Sequence, residues 1–99
     1  MRPAYWVNLF RSVSDPEKLA AYVQLAGSVM TDHGGRFLAR GEPVAAFESG
    51  TLERTVIIEF PSVDAALAAY GSAAYQAALV ALDGGAERDI RIIAANHDA

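Results

Sequence analysis

The sequence predicts an α+β fold, in which one four-stranded antiparallel sheet carries two helices on one face in the ferredoxin-like βαββαβ arrangement. Strand-like and helix-like segments alternate in the order strand, helix, strand, strand, helix, strand. Each helix-like segment begins at a capping residue and ends at a glycine pair. Two such halves form one sheet with both helices on the same side. The 99 residues suffice for one core, so we expect a single domain over 4–95 and a flexible tail at 96–99.

The first half of the chain contains one strand and one long helix. Ala4–Phe10 is rich in aromatic and branched residues, which is typical of a strand. Ser14 or Asp15 then caps a helix that has Pro16 in its first turn. The glycines Gly34-Gly35 end it. The expected buried stripe of this helix is Leu19, Tyr22, Val23, Ala26 and Met30.

The second half is predicted to contain a hairpin, an interrupted helix and a last strand. The hairpin strands are Arg36–Arg40, with Val44–Glu48 as a candidate continuation, and Glu53–Phe60. Ser62 caps the second helix, and Gly71-Ser72 interrupts it. The last strand is Arg88–Ala95. The expected buried positions of the two helical pieces are Val63, Ala66, Leu67 and Tyr70, followed by Tyr75, Ala78, Leu79 and Leu82.

Strand side chains alternate between the two faces of a sheet, so each strand presents two sets. The set Val56, Ile58 and Phe60 is expected in the core. If the helices cover the aliphatic sets of the outer strands, the open face carries Trp6, Asn8, Phe10, Ile57, Glu59, Arg91 and Ile93. This much contiguous apolar surface is unusual for a monomer. We therefore expect a homodimer whose two sheets enclose a small cavity, against the alternative of a monomer with scattered exposed apolar residues.

Composition excludes several classes of function. A net charge of -4 and scattered arginines argue against nucleic-acid binding. The absence of cysteine excludes disulfides and thiolate chemistry. No run approaches the roughly 18 apolar residues of a membrane span, and no signal-like segment begins the chain. We expect no membrane contact and a cytoplasmic location.

Four segments of the chain resemble the bacterial domain of unknown function 1330 family. They are His33–Gly41, Val56–Ser62, Tyr70–Gln76 and Arg88–Ile90, and the resemblance extends over roughly Ala4–Ala95. It implies a dimeric α+β barrel, the superfamily that also includes small cofactor-free monooxygenases and haem-degrading enzymes. It implies no activity, because the family is named for lacking one.

Glu59 is the first candidate catalytic residue. Burial among apolar neighbours would raise its pKa and make it a general base or acid. In the usual strand order of this fold the first strand lies between the third and the last, which would place Asn8 between Glu59 and Arg91. The alternative is a polar trio that satisfies itself inside the dimer cavity.

His33 is the second catalytic candidate, since it lies in the segment that resembles the family. Its alternative role is to cap the end of the first helix. Arg36 and Arg40, which strict alternation places on one face, are candidates for binding a substrate anion; their alternative is pairing with surface carboxylates. Arg88 is expected to pair with a nearby acid or to fix the last turn. The predicted substrate-binding set is Trp6, Asn8, Arg36, Arg40 and Arg91.

No cofactor or metal is expected. The two histidines are far apart and lack ligand spacing. By the resemblance, Asn8 on the first strand suggests haem degradation, but the expected histidine is missing from Ser62–Leu82. The predicted function is binding of a small organic or anionic molecule, between sheet and helices or in the dimer cavity. The alternatives are an enzyme for cofactor-independent oxygenation or proton transfer, and a non-catalytic structural dimer.

Overall fold

The computed structural model describes residues 1–98, so the last residue of the predicted tail at 96–99 lies outside the described part. The sheet order is β2-β3-β1-β4, and all neighbouring strands are antiparallel. This confirms the ferredoxin-like α+β fold. Its elements are β1 (Ala4–Val13), α1 (Pro16–Asp32), β2 (Arg36–Gly41), β3 (Thr55–Phe60), α2 (Val63–Gly71), α3 (Ala73–Leu82) and β4 (Ala86–Ala94).

Helix α1 begins and ends where its sequence predicts. Asp15 is the cap, and its Oδ1 accepts hydrogen bonds from the backbone N–H groups of Glu17 and Lys18 at 3.1 and 3.2 Å. Past the end of α1, a Cβ at Gly35 would lie 2.7 Å from the Met30 carbonyl oxygen, so only glycine fits this turn. The buried residues are Tyr22, Ala26, Val29 and Met30. The assignment of Val23 to the buried stripe was wrong, since it is 44% exposed.

The second helical region is divided at Ser72, as predicted. The Ser62 and Ser72 hydroxyl oxygens accept from the backbone N–H groups of Ala65 and Tyr75 at 3.0 and 3.1 Å and cap α2 and α3. Within residues 1–98, no single helix is long and apolar enough to cross a membrane; α2 and α3 together meet the length and composition requirement, but they are bent by 57° at their junction. The buried positions are Ala66, Ala69, Tyr75, Ala78 and Leu82, whereas Leu67 and Tyr70, expected in the core, are exposed.

The hairpin is shorter than predicted. Val44–Glu48 is not a strand but part of the loop between β2 and β3, and β3 begins at Thr55 rather than Glu53. Gly41 has a φ of +154°, and Pro43 cannot donate a ladder hydrogen bond. Both features stop β2 from continuing.

The face predicted to be open on β1 is the covered one. Trp6 lies opposite Ile58 and Ile92, and Asn8 lies opposite Val56 and Ile90. Directly paired residues share a face, so Trp6, Asn8 and Phe10 point toward the helices and are all buried. Volume is one reason: alanines occupy buried positions on each helix, at Ala26, Ala66, Ala69 and Ala78, and close packing beside them favours large rings from the sheet. The indole of Trp6 accordingly lies 5.4 Å from the Tyr75 ring and 6.0 Å from that of Phe60.

The open face is nevertheless rich in apolar side chains. Val7 pairs with Ile57 on β3 and with Arg91 on β4, while Tyr5 pairs with Glu59 and Ile93. Ile93 is 59% exposed. The residues whose side chains form this face include Tyr5, Val7, Leu9, Arg36, Ile57, Glu59, Asp89, Arg91 and Ile93.

Candidate functional site

A pocket of about 80 Å³ lies between α1 and the covered face of the sheet. We call it the inner pocket. Its walls come from β1, α1, β2 and β3, so all four elements must be in place for it to exist. Its lining residues are Trp6, Asn8, Phe10, Tyr22, Val23, Ala26, Gly27, Met30, Phe37, Arg40, Arg54, Val56 and Ile58.

Asn8 is the polar residue at the inner wall of this pocket. It is 5% exposed, and its side-chain oxygen has no hydrogen-bond partner among the described residues. Its neighbours across the strands are Val56 and Ile90, which offer no donor side chains. Leaving a buried acceptor unsatisfied costs about 1–3 kcal/mol, so a donor from a ligand or water would be favoured at this point.

Arg40 and Arg54 border the same pocket. The guanidinium carbon of Arg40 lies 4.6 Å from the centroid of the Phe37 ring, which holds it by a cation–π contact. Neither arginine pairs with a carboxylate within residues 1–98. The inner pocket therefore combines apolar walls, an unpaired amide oxygen and two unpaired positive charges.

The predicted common face for Arg36 and Arg40 was wrong. Arg36 lies opposite Glu59, whereas Arg40 lies opposite Val56, because the β2–β3 register shifts between Phe37 and Ala39. A bulge adds one residue to one strand and reverses the alternation after it. Arg40 thus reaches the inner pocket on the covered side, and Arg36 belongs to the open face.

Glu59 also lies on the open face, away from the inner pocket. Its Oε1 accepts a hydrogen bond from Arg36 Nη2 at 2.7 Å, and its neighbour on β1 is Tyr5 rather than Asn8. The predicted trio of Glu59, Asn8 and Arg91 therefore does not form, because Asn8 points to the other face.

Arg91 is engaged with a different acid. Its Nε and Nη2 donate to the Asp89 carboxylate at 3.1 and 3.0 Å, and Arg11 Nη2 donates to the same group at 3.2 Å. The hydrogen bond from Arg91 and its positive charge, helped by Arg11, hold the pKa of Asp89 below its usual value. This acid–base cluster satisfies itself.

His33 occupies the position of a helix cap. Its Nδ1 lies 2.8 Å from the Val29 carbonyl oxygen, and its backbone N–H donates to the Val29 and Met30 carbonyls at 3.2 Å. It does not line the inner pocket. The geometry matches the capping alternative stated for this residue.

Aromatic side chains surround Arg88, which was expected to pair with a nearby acid or to fix the last turn. Its guanidinium carbon lies 4.5 Å from the Tyr22 ring centroid and 6.0 Å from that of Phe10, and it has no carboxylate partner within residues 1–98. The hydroxyls of Tyr22 and Tyr75 are 2.7 Å apart. Burial raises the pKa of the Tyr75 hydroxyl well above its usual range, so this hydroxyl stays neutral.

The residues that sequence reasoning missed are Tyr22 as a pocket wall, Arg54, and Arg88 as an unpaired cation. Arg54 directly precedes β3 but lies within the predicted strand Glu53–Phe60, where alternation places it with Val56 and Ile58 on the covered side, so this alternation was the available signal. In residues 1–98, no group of three or more histidines or carboxylates is arranged to hold a metal ion.

The chain is similar to one described protein family and to several solved structures. A family model described as "Domain of unknown function (DUF1330)" matches residues 3–96. None of the curated proteins matches the sequence. Among solved structures, RPA0582, a protein of unknown function from Rhodopseudomonas palustris, is 24% identical with a TM-score of 0.73, over 99% of this chain and 84% of that one.

Two further solved structures share the fold at lower identity. SnoaB, a cofactor-independent oxygenase from Streptomyces nogalater, is 15% identical with a TM-score of 0.66, over 98% of this chain and 96% of that one. A dimeric ferredoxin-like protein of unknown function from Thermobifida fusca is 15% identical with a TM-score of 0.64, over 95% and 92%. At these identities, the similarity extends to the fold alone.

Proposed function

We propose that the protein binds, in the inner pocket, a small organic molecule that carries a negative charge. The chain belongs to the DUF1330 family, whose description assigns no activity, so the proposal is argued from the pocket itself. The observation that carries this proposal is the buried, unpartnered side-chain oxygen of Asn8 in a pocket bordered by two unpaired arginines. Binding pockets are typically apolar with a few convergent polar groups.

Each polar group of the pocket specifies one feature of the ligand. Asn8 Oδ1 accepts a hydrogen bond, so the ligand should present a hydroxyl or another donor to it. Arg40 and Arg54 favour a carboxylate or a similar anion. Their positive charge is local, since the chain as a whole carries a net charge of -4.

The size of the pocket limits the part of the ligand that is enclosed. At about 80 Å³, the pocket encloses only part of a ring-sized ligand, since the apolar cavity that admits benzene in an engineered protein measures ~150 Å³, and the rest of the ligand lies at the rim beside exposed Val23 and Arg40. Rings from Trp6, Phe10 and Tyr22 line it and suit an apolar or aromatic body. The ligand is thus a small hydroxylated acid whose anionic end lies beside Arg40 and Arg54.

A titration with 4-hydroxybenzoate tests the proposal. This probe has a ring, a hydroxyl and a carboxylate, and Trp6 is the single tryptophan, so its indole N–H resonance reports directly on the pocket wall. We expect a saturable shift of that resonance in the wild type. Arg54→Gln should weaken binding about tenfold, the loss expected for one charged hydrogen bond.

A blocking variant provides the matched control. A Cβ built at Gly27, which lines the pocket, meets no atom within 4 Å, so Gly27→Leu should fill the pocket without a backbone clash. Ala21→Leu adds the same side chain at an exposed position of α1 and should leave binding unchanged. Binding that survives both Gly27→Leu and Arg54→Gln would show that the inner pocket is not the site.

The proposal includes a homodimer formed through the open face. Half-buried Val7 and Ile57 and exposed Leu9 and Ile93 give this face an apolar centre, and a contiguous patch of this kind commonly marks an interface. The structural neighbour from Thermobifida fusca is described as dimeric. These observations favour a second copy of the chain as the occupant.

Analytical ultracentrifugation over a range of concentrations tests the dimer. Ile57→Lys places a charge at the centre of the apolar patch and should shift the chain to monomer. Val80→Lys, at a position on α3 that is fully outside the open face and exposed, is the control and should leave the dimer intact. A wild type that remains monomeric at high concentration would contradict this assembly.

Cofactor-independent oxygenation is the second candidate function. The similarity to SnoaB, a cofactor-independent oxygenase, favours it, as does a pocket lined by Trp6, Asn8 and Tyr22 that shields a substrate from water. With the substrate as reductant, R₂CH₂ + O₂ → R₂C=O + H₂O balances. Glu59 and His33, the predicted bases, do not line this pocket, so proton transfer by either residue has less support. Oxygen uptake that requires both ligand and Asn8 would favour catalysis, and binding without uptake would favour a binding protein.

A further inference from the structure

A second concavity, which we call the outer cleft, lies on the same helix-covered side of the sheet, but at its β4 edge. It occupies about 560 Å³ between the helices α2 and α3 and strand β4, within the range of roughly 300–1,000 Å³ typical of ligand sites. It shares no lining residue with the inner pocket. Its lining residues are Leu67, Tyr70, Leu82, Ala86, Arg88, Ile90 and Ile92.

Among the described residues, Arg88 is the one charged residue that lines this cleft. Its Nη1 is buried and has no hydrogen-bond partner among the described residues. The Arg88 side chain as a whole is half-buried, and a guanidinium keeps its charge because it does not lose a proton in proteins. Within residues 1–98 no carboxylate pairs with Arg88, so an anion that enters the cleft would supply a counter-charge to the guanidinium.

The surrounding tyrosines orient Arg88 but do not neutralise it. The guanidinium stacks on the Tyr22 ring at 4.5 Å, and the Tyr22 hydroxyl is engaged with that of Tyr75 at 2.7 Å. The buried Tyr75 hydroxyl stays protonated at neutral pH. The arginine is therefore fixed in orientation, which reduces the entropy that an anion must remove on binding.

The walls of the cleft are mostly aliphatic. Ile90 and Ile92 form its floor on β4, and Leu67 and Tyr70 stand at its α2 side, exposed by 55% and 40%. The apolar spacing of Leu67 and Tyr70 is typical of a buried helix face, yet both side chains line the cleft and are exposed. An apolar occupant would complete this packing.

We infer that the outer cleft binds an aliphatic carboxylate of medium chain length, with Arg88 as its anion-binding residue. Two N–H groups of Arg88 donate to the carboxylate oxygens, and the hydrocarbon tail lies against Ile90, Ile92 and Leu67. No covalent step is involved. This site goes beyond the inner pocket and does not depend on its ligand.

Isothermal titration calorimetry with octanoate tests the inference. We expect one octanoate to bind per chain. Arg88→Met removes the charge but keeps an unbranched apolar side chain, and it should weaken octanoate at least about tenfold. Arg36→Met makes the same change on the open face, opposite Glu59, and should have no effect. Octanol, which has the tail without the charge, should bind equally weakly to the wild type and to Arg88→Met.

A second pair of variants guards against a folding defect in Arg88→Met. Arg88→Lys keeps the charge without the two-pronged donor and should give an intermediate affinity. Leu67→Asn alters an exposed wall position and should weaken octanoate more than butanoate, whose shorter tail does not reach it. Octanoate binding that is unchanged in Arg88→Met, or absent from the wild type, would overturn the inference. Octanoate binding that is lost in Arg40→Met but kept in Arg88→Met would also overturn the inference, because it would place octanoate in the inner pocket. The 4-hydroxybenzoate titration remains an independent test of that pocket.

Discussion

The two faces of the sheet differ in how their charges are satisfied. On the open face the charged side chains pair with one another: Arg36 with Glu59 at 2.7 Å, and Arg11 and Arg91 with Asp89 at 3.2 and 3.0 Å. Surface pairs of this kind contribute little to stability, but they leave no charge in need of a ligand.

On the covered side the opposite holds. Arg40, Arg54 and Arg88 pair with no carboxylate within residues 1–98, and the oxygen of Asn8 and the Nη1 of Arg88 are buried without partners. Buried polar groups are normally satisfied. A ligand is therefore expected on the covered side, and a second subunit on the open face, whose centre is apolar and exposed.

The largest expected effect is a loss of unfolding free energy when a side chain of the covered face is truncated. Trp6 is 1% exposed and packs against the rings of Phe60, Tyr70 and Tyr75. Trp6→Ala should lower the free energy of unfolding by about 3–5 kcal/mol through lost burial and a new cavity. Chemical denaturation followed by circular dichroism measures this change.

The matched control for Trp6 is Ile93, an apolar residue of the open face. At protein concentrations where the chain is monomeric, Ile93→Ala should change the free energy of unfolding by less than about 0.5 kcal/mol. At higher concentrations the loss should grow, because a dimer interface links stability to concentration. Equal losses for the two variants at low concentration would contradict the assignment of faces.

A smaller effect of the opposite sign is expected at Asn8. Asn8→Leu replaces an unsatisfied buried amide by an apolar group of similar shape, so the free energy of unfolding should rise by about 1 kcal/mol. The same variant should lose 4-hydroxybenzoate binding. A gain in stability together with a loss of binding is typical of a polar group kept for function. Destabilisation by Asn8→Leu would instead mean that Asn8 has a structural partner.

The local signals in the sequence were sufficient for the fold. Asp15, Ser62 and Ser72 cap helices through bonds to residues two or three positions away, and such contacts can be read from sequence. The assignment of Trp6 to a face could not be read in the same way, because alternation defines two sets of side chains and does not say which set the helices cover. The alanines at the buried positions of α2 and α3 were the available clue, since small helical residues need large partners.

The candidate site was less predictable for a geometric reason. Trp6, Asn8 and Arg40 do meet in one pocket, but Arg36 does not join them, because the register shift next to Leu38 separates two arginines that strict alternation would unite. A bulge of one residue leaves no mark in composition. Arg88 was expected to pair with an acid or to fix the last turn, and only the packing of elements distant in sequence shows that no carboxylate within residues 1–98 pairs with it.

A modest effect is expected for the ion pair on the open face. Arg36 and Glu59 are partly exposed, so Glu59→Gln should cost less than about 1 kcal/mol of unfolding free energy, and a double-mutant cycle with Arg36→Gln should give a coupling of about 0.2–1 kcal/mol. Binding of 4-hydroxybenzoate should be unchanged in both variants. Loss of 4-hydroxybenzoate binding in Glu59→Gln, with the fold intact, would instead support the catalytic role that was predicted for Glu59 from its sequence context.

The smallest expected effect is on the free energy of unfolding at acid pH. It concerns Asp89, which lies on the open face. Hydrogen bonds from Arg91 and, secondarily, Arg11 hold the pKa of Asp89 below its usual value in the folded chain. The unfolded chain therefore takes up a proton first as the pH falls below about 4, and the stabilisation that Asp89 provides above that pH is lost progressively below it. Asp89→Asn should make the free energy of unfolding less dependent on pH between about 4 and 2.

Asp83→Asn is the comparison away from the sheet, because the hydrogen bond and charge of Lys18 lower the pKa of Asp83 in the same direction. An Asp89→Asn variant with an unaltered pH profile would mean that Arg91 and Arg11 do not hold this carboxylate in solution, and the open face would then offer two arginines to a ligand after all.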